Sequence, residues 1–261
     1  MTLAAILFDV DGVLVDSPHE RAWRETLDEL MRGDWRALRD RSSYAPARFS
    51  SALYQRLVAG KPREAGARAA LEHFRVPDAA QLAGVYGAKK QEKLTQLIEA
   101  GESRPFPDAM RFLLAVKSGG ARIAAASSSK NANDLLRRIH MDELAADLGL
   151  SFVHAGTTLL DLFDANVAGR DFPHGKPAPD IFLAAAAELG AEPAGCVVVE
   201  DAAVGVEAAK AGGMRAIGVA RMQDQAALRS AGADLVVTSL DEVVVMPALM
   251  EGRLEQRRRA A

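Results

Sequence analysis

Short apolar runs bounded by polar residues recur along this chain, and each of them predicts a buried β-strand. The first run covers residues 4–10. The other predicted strands come much later, at residues 122–126, 151–154, 196–199, 216–219 and 235–237. Segments with helical spacing lie among these later runs, at residues 108–118, 131–139, 179–189, 203–211 and 223–230. This alternation is typical of an α/β fold with a doubly wound parallel sheet.

A long helical block interrupts the pattern after the first strand. Residues 18–101 have helical spacing and almost no β-branched runs, and they predict helices at 20–31, 47–58, 62–74 and 79–99. Prolines and glycines at both ends of the block mark candidate hinges. We therefore expect an α/β core domain formed by residues 1–17 and 102–245, an inserted small α-helical cap domain at 18–101, and a C-terminal tail at 246–261.

The composition of the chain argues against several classes of protein, among them nucleic-acid-binding, disulfide-bonded and membrane-spanning proteins. A formal net charge of −3 over 261 residues argues against nucleic-acid binding by charge, and we interpret the arginines at 257–259 as a solvated tail. The only cysteine, Cys196, leaves no intramolecular disulfide and begins an apolar run, where we expect a small buried residue. No apolar segment has membrane-spanning length. We expect a monomeric cytoplasmic protein with no nucleic-acid or membrane partner.

Candidate chemistry begins where the first predicted strand ends. Asp9 and Asp11 follow an apolar run, and Gly12 lets the backbone turn away. Alternate residues of a strand point to the same face, so the two carboxylates converge and raise each other's pKa unless a cation lies between them. A hard divalent cation with oxygen ligands, above all Mg²⁺, fits this pair. The alternative is a strand that runs into an ordinary Asp-Gly turn.

Three later segments place further polar groups at the ends of predicted strands or the starts of helices. Ser127 follows the strand at 122–126, Lys176 opens a helix, and Glu200 and Asp201 follow the strand at 196–199. Taken one at a time, these are ordinary features of helix caps and turns. Ligands of open parallel sheets bind beyond the carboxyl ends of the strands. We therefore expect these side chains to lie near Asp9 and Asp11.

Together these groups predict phosphoryl transfer through an aspartyl phosphate. Asp9 would attack phosphorus, and Mg²⁺ would be bound by Asp9, Asp201 and the backbone carbonyl of Asp11. The carboxyl group of Asp11 would then be free to carry a proton. Ser127 and Lys176 would neutralise the charge on the phosphoryl oxygens in the transition state.

The chain resembles the haloacid dehalogenase superfamily of phosphotransferases. Three motifs carry the resemblance: Phe-Asp-Val-Asp-Gly-Val-Leu-Val-Asp-Ser at 8–17, Gly-Lys-Pro-Ala-Pro-Asp at 175–180 and Val-Glu-Asp-Ala at 199–202. The resemblance implies a Rossmann-like core with a helical cap, a nucleophile at Asp9, a general acid and base at Asp11, and Mg²⁺ as the cofactor. The metal-binding residues that it implies are Asp9, Asp11, Asp201 and, in support, Glu200.

Within this superfamily the chain is similar to the β-phosphoglucomutases. Residues 127–131, Ser-Ser-Ser-Lys-Asn, resemble the second motif of that family. By this likeness, the phosphate that is not transferred is bound by Ser129, Lys130 and Asn131. Residues 60–63, Gly-Lys-Pro-Arg, resemble a cap segment, which implies that Gly60 and Arg63 bind the same distal phosphate. A fork-shaped guanidinium suits that ligand; the alternative for Arg63 is a solvated helix face.

Two further cap residues receive a role from this resemblance. Lys90 falls where a cap lysine reaches the active site, and His19 resembles a hinge histidine that helps to place a proton. The alternative for His19 is a capping or hinge-packing residue. We expect Trp23 and Trp35 to anchor the packing of the cap.

Two functions remain open. The first is a sugar-phosphate mutase that interconverts β-glucose 1-phosphate and glucose 6-phosphate, and it is favoured by Arg63, Lys90 and Lys130. The second is a phosphatase that hydrolyses a small sugar phosphate or another phosphorylated metabolite, with water as the acceptor. A catalytically inactive binding protein is disfavoured because every core catalytic position is filled. A dehalogenase is disfavoured because the acids at 200 and 201 serve phosphate chemistry.

Overall fold

The computed structural model describes residues 3–222, 224–245, 249 and 251–257. The chain forms two units: Ser17–Arg104 makes up one of them, and the other contains the remaining described residues. Within the described part of the chain, no helix is both long and apolar enough to span a lipid bilayer.

The larger unit is built on a six-stranded parallel sheet. The strands of the chain are, in order, β1 (Ala5–Phe8), β2 (Val15–Asp16), β3 (Arg104–Pro105), β4 (Arg122–Ala125), β5 (Ala165–Asn166), β6 (Cys196–Glu200), β7 (Arg215–Val219) and β8 (Leu235–Val237). The sheet has the order β5-β4-β1-β6-β7-β8, and its neighbouring strands run parallel. The predicted α/β class and doubly wound sheet are confirmed, with β1 at the centre.

Helices account for most of the remaining regular structure. They are α1 (His19–Arg32), α2 (Arg36–Arg39), α3 (Ser51–Leu57), α4 (Arg63–His73), α5 (Ala79–Glu99), α6 (Pro107–Ser118), α7 (Ala132–Arg138), α8 (Asp142–Asp147), α9 (Asp180–Glu188), α10 (Ala203–Ala211) and α11 (Gln225–Ser230). Short 3₁₀ turns occur at Pro46–Arg48, Leu160–Leu162, Pro193–Gly195 and Leu240–Glu242. The first five helices belong to the smaller unit, which has no strand of the parallel sheet.

Aromatic side chains form the centre of the smaller unit. Tyr86 is fully buried, and its hydroxyl donates a 2.7 Å hydrogen bond to the backbone carbonyl of Trp23. The rings of Trp23 and Trp35 both meet the Tyr86 ring edge to face, at centroid distances of 4.9 and 6.4 Å. Such pairs add about 1 kcal/mol each beyond the area that they bury. The prediction that the two tryptophans anchor the packing of this unit is confirmed.

Two predicted elements are wrong. Residues 151–154 do not form a strand but an exposed turn, and the edge of the sheet is instead the two-residue strand β5, which pairs with β4. The helix predicted at 47–58 is broken. It consists of the 3₁₀ turn Pro46–Arg48 and of α3, because the hydroxyl of Ser50 accepts a hydrogen bond from the Leu53 amide and starts a new helix.

The remaining differences are small. Helices α2 and α8 were not predicted, and both are too short to give a clear helical period. Residue 223, where the last predicted helix begins, lies outside the described residues, as do 258 and 259 of the predicted basic tail. Cys196 is fully buried at the start of β6 as predicted, and burial raises the pKa of its thiol.

Candidate active site

The carboxyl ends of three adjacent strands bring together residues that are far apart in the sequence. In the register of the sheet, Phe8 of β1 lies beside Ala125 of β4 and Val199 of β6. The pairing continues beyond the strand, since the Asp9 amide donates to the Val199 carbonyl over 3.1 Å. The residues that follow the three strands therefore meet at one edge, where open parallel sheets bind their ligands.

Lys176 reaches this edge from the segment that precedes α9. Its ammonium donates to Oδ1 of Asp9 over 2.7 Å and to Oε1 of Glu200 over 2.5 Å. All three side chains are almost completely buried. The ammonium also lies 5.0 Å from the centre of the Phe182 ring. A buried charge is tolerated only with a partner, so this ion-paired group fixes the position of the Asp9 carboxylate.

Glu200 connects the lysine to the backbone that carries Asp201. While Oε1 of Glu200 accepts from Lys176, Oε2 accepts from the backbone amides of Asp201 and Ala202, over 3.0 and 3.1 Å. Gly205, in the first turn of α10, makes room for this carboxylate, because a Cβ at that position would overlap it. Through these hydrogen bonds Glu200, the last residue of β6, connects Lys176 to the backbone of residues 201–202. Its predicted role in support of Asp201 stays a prediction.

The site holds more negative than positive charge. Burial raises the pKa of Asp9 to about 7, although Lys176 acts in the opposite direction. Burial, together with the charges of Glu200 and Asp9, also raises the pKa of Asp201 well above its usual range. Gly12, with a φ of +83°, passes so close to Asp201 that a Cβ would overlap its carboxylate. A compact set of acidic oxygens with one ammonium is a donor set that fits a hard divalent cation.

The described residues contain no group of three or more His, Cys, Asp or Glu side chains that could by themselves hold a metal ion. A cation at this edge would therefore need ligands of other kinds as well. Backbone carbonyls, water and phosphate oxygens supply these in sites of the magnesium type. The expected ligand set of Asp9, Asp201 and the Asp11 carbonyl is of this mixed kind.

The serine-rich segment after β4 lies at the same edge of the sheet. Ser127 is buried, and its hydroxyl accepts a 3.2 Å hydrogen bond from the Ser129 amide. The Asn131 amide in turn lies 3.4 Å from the Ser129 hydroxyl. Lys130 is more exposed, and its ammonium donates to the Gly169 carbonyl and to Asp171, both over 2.7 Å. In this structure Lys130 thus contacts the segment after β5.

In the smaller unit, two of the predicted site residues lie together. Nζ of Lys90 is 3.2 Å from Nδ1 of His19 and 5.0 Å from the centre of the Trp23 ring. Lys90 is only 3 % exposed although it belongs to a helix with a solvated face. A lysine that is desolvated in this way beside a histidine is typical of functional sites.

Arg63 is the first residue of α4 and extends along one row of α5. Its guanidinium donates to Oε1 of Gln91 over 2.9 Å, and its side-chain stem lies against Gly87. Gly60, three residues before it, has a φ of +73° and turns the chain into this segment. Gly87 and Gln91 were not predicted. Gly87 and Gln91 are one helical turn apart in α5 and therefore lie on the same face of the helix. This spacing alone does not indicate a site; it becomes informative only because Arg63 contacts both residues.

Replacing Lys176 by methionine should be much more costly than replacing an exposed lysine. Lys176→Met leaves the buried carboxylates of Asp9 and Glu200 without their cation, which we expect to lower the free energy of unfolding by about 3–5 kcal/mol at pH 8. The loss should be smaller at pH 5, because protons can neutralise these acids. Urea unfolding at the two pH values measures both effects.

Lys130→Met is the matched control for this prediction. Lys130 also pairs with an aspartate, but its side chain is 44 % exposed, and exposed pairs contribute about 0–1 kcal/mol. Similar losses for the two variants at pH 8 would contradict the structural role of Lys176.

Several known proteins are similar to this chain in sequence, and solved structures are similar to it in fold. A family model described as haloacid dehalogenase-like hydrolase matches residues 3–213. The β-phosphoglucomutase of Mycobacterium bovis is 35% identical over 256 residues, which cover 92% of this chain and 91% of that protein. The fructose-1-phosphate phosphatase YqaB of Escherichia coli is 31% identical over 219 residues, 83% of this chain and 96% of that protein.

A solved structure agrees with these relatives. The archaeal β-phosphoglucomutase of Pyrococcus sp. strain ST 04 superposes with a TM-score of 0.67 at 28% identity, over 93% of this chain and 96% of that one. The relatives include both mutase and phosphatase, and in each case the match extends over most of both chains. With its acids and lysine at the carboxyl edge of a parallel sheet, the chain is an enzyme that belongs to the haloacid dehalogenase-like hydrolases.

Proposed function

We propose that this enzyme transfers phosphoryl groups through an aspartyl phosphate on Asp9, and that it is a sugar-phosphate mutase of the β-phosphoglucomutase type. The observation that carries the proposal is the buried carboxylate of Asp9 at the carboxyl end of the central strand, hydrogen-bonded to Lys176 over 2.7 Å. In the proposed reaction this carboxylate would be an oxygen nucleophile held beside the positive charge of the lysine. Such a pair suits attack on a phosphate ester, whose oxygens need that charge.

The reaction requires two displacements at phosphorus. In the first, an oxygen of Asp9 bonds to phosphorus, the bond from phosphorus to the ester oxygen breaks, and Asp11 donates a proton to the leaving oxygen. In the second, Asp11 takes a proton from the acceptor hydroxyl, which attacks phosphorus and releases Asp9. Lys176 and Ser127 neutralise the phosphoryl oxygens in both steps. The acceptor is a sugar hydroxyl in a mutase and water in a phosphatase.

Mg²⁺ is the cofactor that fits this site best. Asp9, Asp201 and the backbone carbonyl of Asp11 would hold it, with Glu200 in support through its hydrogen bonds to the 201–202 backbone. When bound, the ion supplies positive charge that keeps Asp9 ionised and offsets the charge of the phosphoryl group. The raised pKa values of Asp9 and Asp201 support this, because a bound cation would offset both the burial and the like charges that raise them.

Cationic residues found in each of the two units favour the mutase over the phosphatase. A mutase must hold a second phosphate while the first is transferred, which requires a cationic group away from Asp9. In the smaller unit we propose Arg63 as such a group, with Gly60 shaping the segment before it. In the larger unit we propose Lys130, together with Ser129 and Asn131 on either side of it. The Lys90–His19 contact adds a desolvated cation and a proton-carrying ring. A phosphatase of sugar phosphates is the second candidate, and the similarity to a fructose-1-phosphate phosphatase favours it.

The two candidates predict different products from one assay. With Mg²⁺, β-glucose 1-phosphate and a trace of glucose 1,6-bisphosphate, we expect glucose 6-phosphate to form without an equal release of free phosphate. Asp9→Asn should abolish this turnover because the amide cannot attack phosphorus. Both products are followed in the same sample by coupled enzymatic detection.

The outcomes separate the two parts of the proposal. Phosphate release without isomerisation would establish the phosphatase and overturn the mutase. Substantial activity in Asp9→Asn would overturn the assignment of the nucleophile, whatever the products are.

Binding of Mg²⁺ should depend on pH through the same carboxylates. Because the pKa of Asp9 in the folded protein, about 7, lies above its ordinary value of 3.8, its protonated form stabilises the fold at low pH. That stabilisation is lost as the pH rises through 7. Mg²⁺ competes with these protons, so the increase in Tm that it causes should be small at pH 5 and larger at pH 8.

Differential scanning fluorimetry with and without MgCl₂ measures this difference. Asp201→Asn is the control, since it removes one proposed ligand and should reduce the Mg²⁺ effect at pH 8. A Tm increase that is the same at both pH values and in Asp201→Asn would count against a cation at this site.

The role of Arg63 can be tested by a pair of glycine substitutions in one helix. A Cβ at Gly87 would lie 3.2 Å from Cγ and 3.3 Å from Cδ of Arg63, whereas a Cβ at Gly84 meets nothing within 4 Å. Gly87→Ala should displace Arg63 and raise the KM for β-glucose 1-phosphate by about threefold to tenfold, a change of about 1 kcal/mol. Hydrolysis of a small aryl phosphate should not change.

Gly84→Ala is the matched control. Both substitutions raise the helix propensity of α5 by about 1 kcal/mol, so their effects on stability are similar while their effects on Arg63 differ. Identical kinetics in the two variants would assign Arg63 to the solvated face of α4.

A further inference from the structure

Arg221, which follows β7, makes several contacts close to the site and has no role in the proposed reaction. Its Nη1 and Nη2 donate to the two carboxylate oxygens of Asp108, over 2.9 and 3.2 Å. The side chains are only 14% and 10% exposed. The guanidinium also lies 4.0 Å from the centre of the Phe106 ring. A two-pronged pair with a ring beneath it holds an arginine in one orientation.

The other edge of the same guanidinium faces the loop that follows β1. Nε of Arg221 lies 3.4 Å from the carbonyl oxygen of Gly12, and Nη2 lies 3.3 Å from that of Val13. These are long hydrogen bonds, but their donor is charged and they are largely shielded from water. Arg221 thus links the turn directly after Asp11 to the beginning of α6.

Asp108 is itself held firmly, so it can fix the arginine. Burial alone would raise the pKa of this carboxyl, but the hydrogen bonds from Arg221 and the Leu240 amide lower it below its ordinary value. Asp108 also accepts from the hydroxyl of Ser239 over 2.9 Å and from the Leu240 amide over 2.7 Å. The guanidinium is therefore paired with a carboxylate that lies in α6 and is also hydrogen-bonded to residues 239–240.

The loop that Arg221 contacts has little freedom to move on its other side. The Gly12 amide donates to the Val15 carbonyl over 2.8 Å, and the amides of Leu14 and Val15 both donate to the Val10 carbonyl over 2.9 Å. On the other side of this turn, the backbone of Gly12 passes against the carboxylate of Asp201. A displacement of the turn would consequently move the segment that carries both Asp9 and Asp11.

We infer that Arg221 is a positioning residue that holds the turn at 12–13 and thereby aligns the carboxylates of Asp9 and Asp11 for reaction. This inference rests on the proposed roles of those two acids. Arg221 acts through the loop and not on the substrate, so its loss should lower kcat for every phosphate ester and leave KM nearly unchanged. A displacement of about 1 Å at the reacting atoms can lower the rate by about a hundredfold.

A second arginine provides the control that a positioning role requires. Arg111 of α6 donates to both oxygens of Asp241, over 3.0 and 2.6 Å, and this pair joins the same two segments, α6 and the turn Leu240–Glu242. Both of its hydrogen bonds go to Asp241, and its side chain is 44% exposed. Arg111→Lys therefore tests the tether between α6 and that turn without the contact to the loop.

Arg221→Lys keeps the charge but loses the fork that reaches Asp108 and the two carbonyls at once. We expect kcat for an aryl phosphate and for β-glucose 1-phosphate to fall by about tenfold to a hundredfold in both cases, with KM changed by less than about threefold. Amide hydrogen exchange in peptides that cover residues 10–16 should become faster. Arg111→Lys should change neither quantity. Asp108→Asn, which keeps the shape of its side chain, should reproduce the effect.

The two readouts keep this inference separate from the proposed function. Absence of phosphate turnover in the wild-type enzyme would contradict the proposed function, while the exchange of residues 10–16 would still report on the loop. Wild-type exchange and wild-type kcat in Arg221→Lys would overturn the inference. A fall in Tm with kcat unchanged would also overturn it, since it would leave Arg221 only a structural role.

Discussion

The buried ammonium of Lys176 is the interaction on which the rest of the site depends. It lies between the carboxylates of Asp9 and Glu200, and none of the three charges would be tolerated alone at that depth. Because Glu200 also holds the backbone of residues 201–202, the position of the lysine is transmitted to Asp201. One group of charges thus joins β1, β6 and the segment before α9. The same charges that could carry out the chemistry also hold these parts of the core together.

Negatively charged groups outnumber positively charged ones at the carboxyl edge of the central strands. Three buried carboxylates, those of Asp9, Glu200 and Asp201, share one buried ammonium. Burial is the main cause of the raised pKa values of Asp9 and Asp201, and the neighbouring carboxylates add to it. A phosphate ester would bring still more negative charge to the same edge of the sheet. The electrostatics of the fold therefore favour a bound cation as part of the working enzyme.

The sequence predicted the architecture well because its strongest signals are local. Apolar runs, helical spacing and the acids at strand ends each depend on neighbouring residues, and the rule for parallel sheets then brings those ends together. The strand predicted at 151–154 is wrong because the segment has the composition of a strand but does not pair with any described strand of the sheet. Strand β5 was missed because two residues give no period, and its place is set by pairing with β4.

The parts of the site that could not be predicted depend on distant contacts. Arg221 and Asp108 are far apart in the chain, and nothing in either local pattern indicates the other. Lys130 was expected to bind phosphate, and that remains a proposal, but its contact with Asp171 is visible only in the structure. The importance of three other residues is likewise visible only from their neighbours in the structure. Gly205 lies against Glu200, and Gly87 and Gln91 contact Arg63. The sequence therefore indicates the residues proposed to react, whereas the residues that hold them in position can be identified only from the structure.

Gly205 has a consequence for anyone who engineers this enzyme. Replacing helix glycines by alanine is a routine way to raise thermal stability, and an Ala-rich helix such as α10 invites that change. Here the space beside the glycine is already occupied by the Glu200 carboxylate, so the added methyl group would push on the lysine–acid group itself. Libraries designed for heat resistance should therefore keep this position as glycine, since the space beside it is needed by the Glu200 carboxylate of the proposed active site.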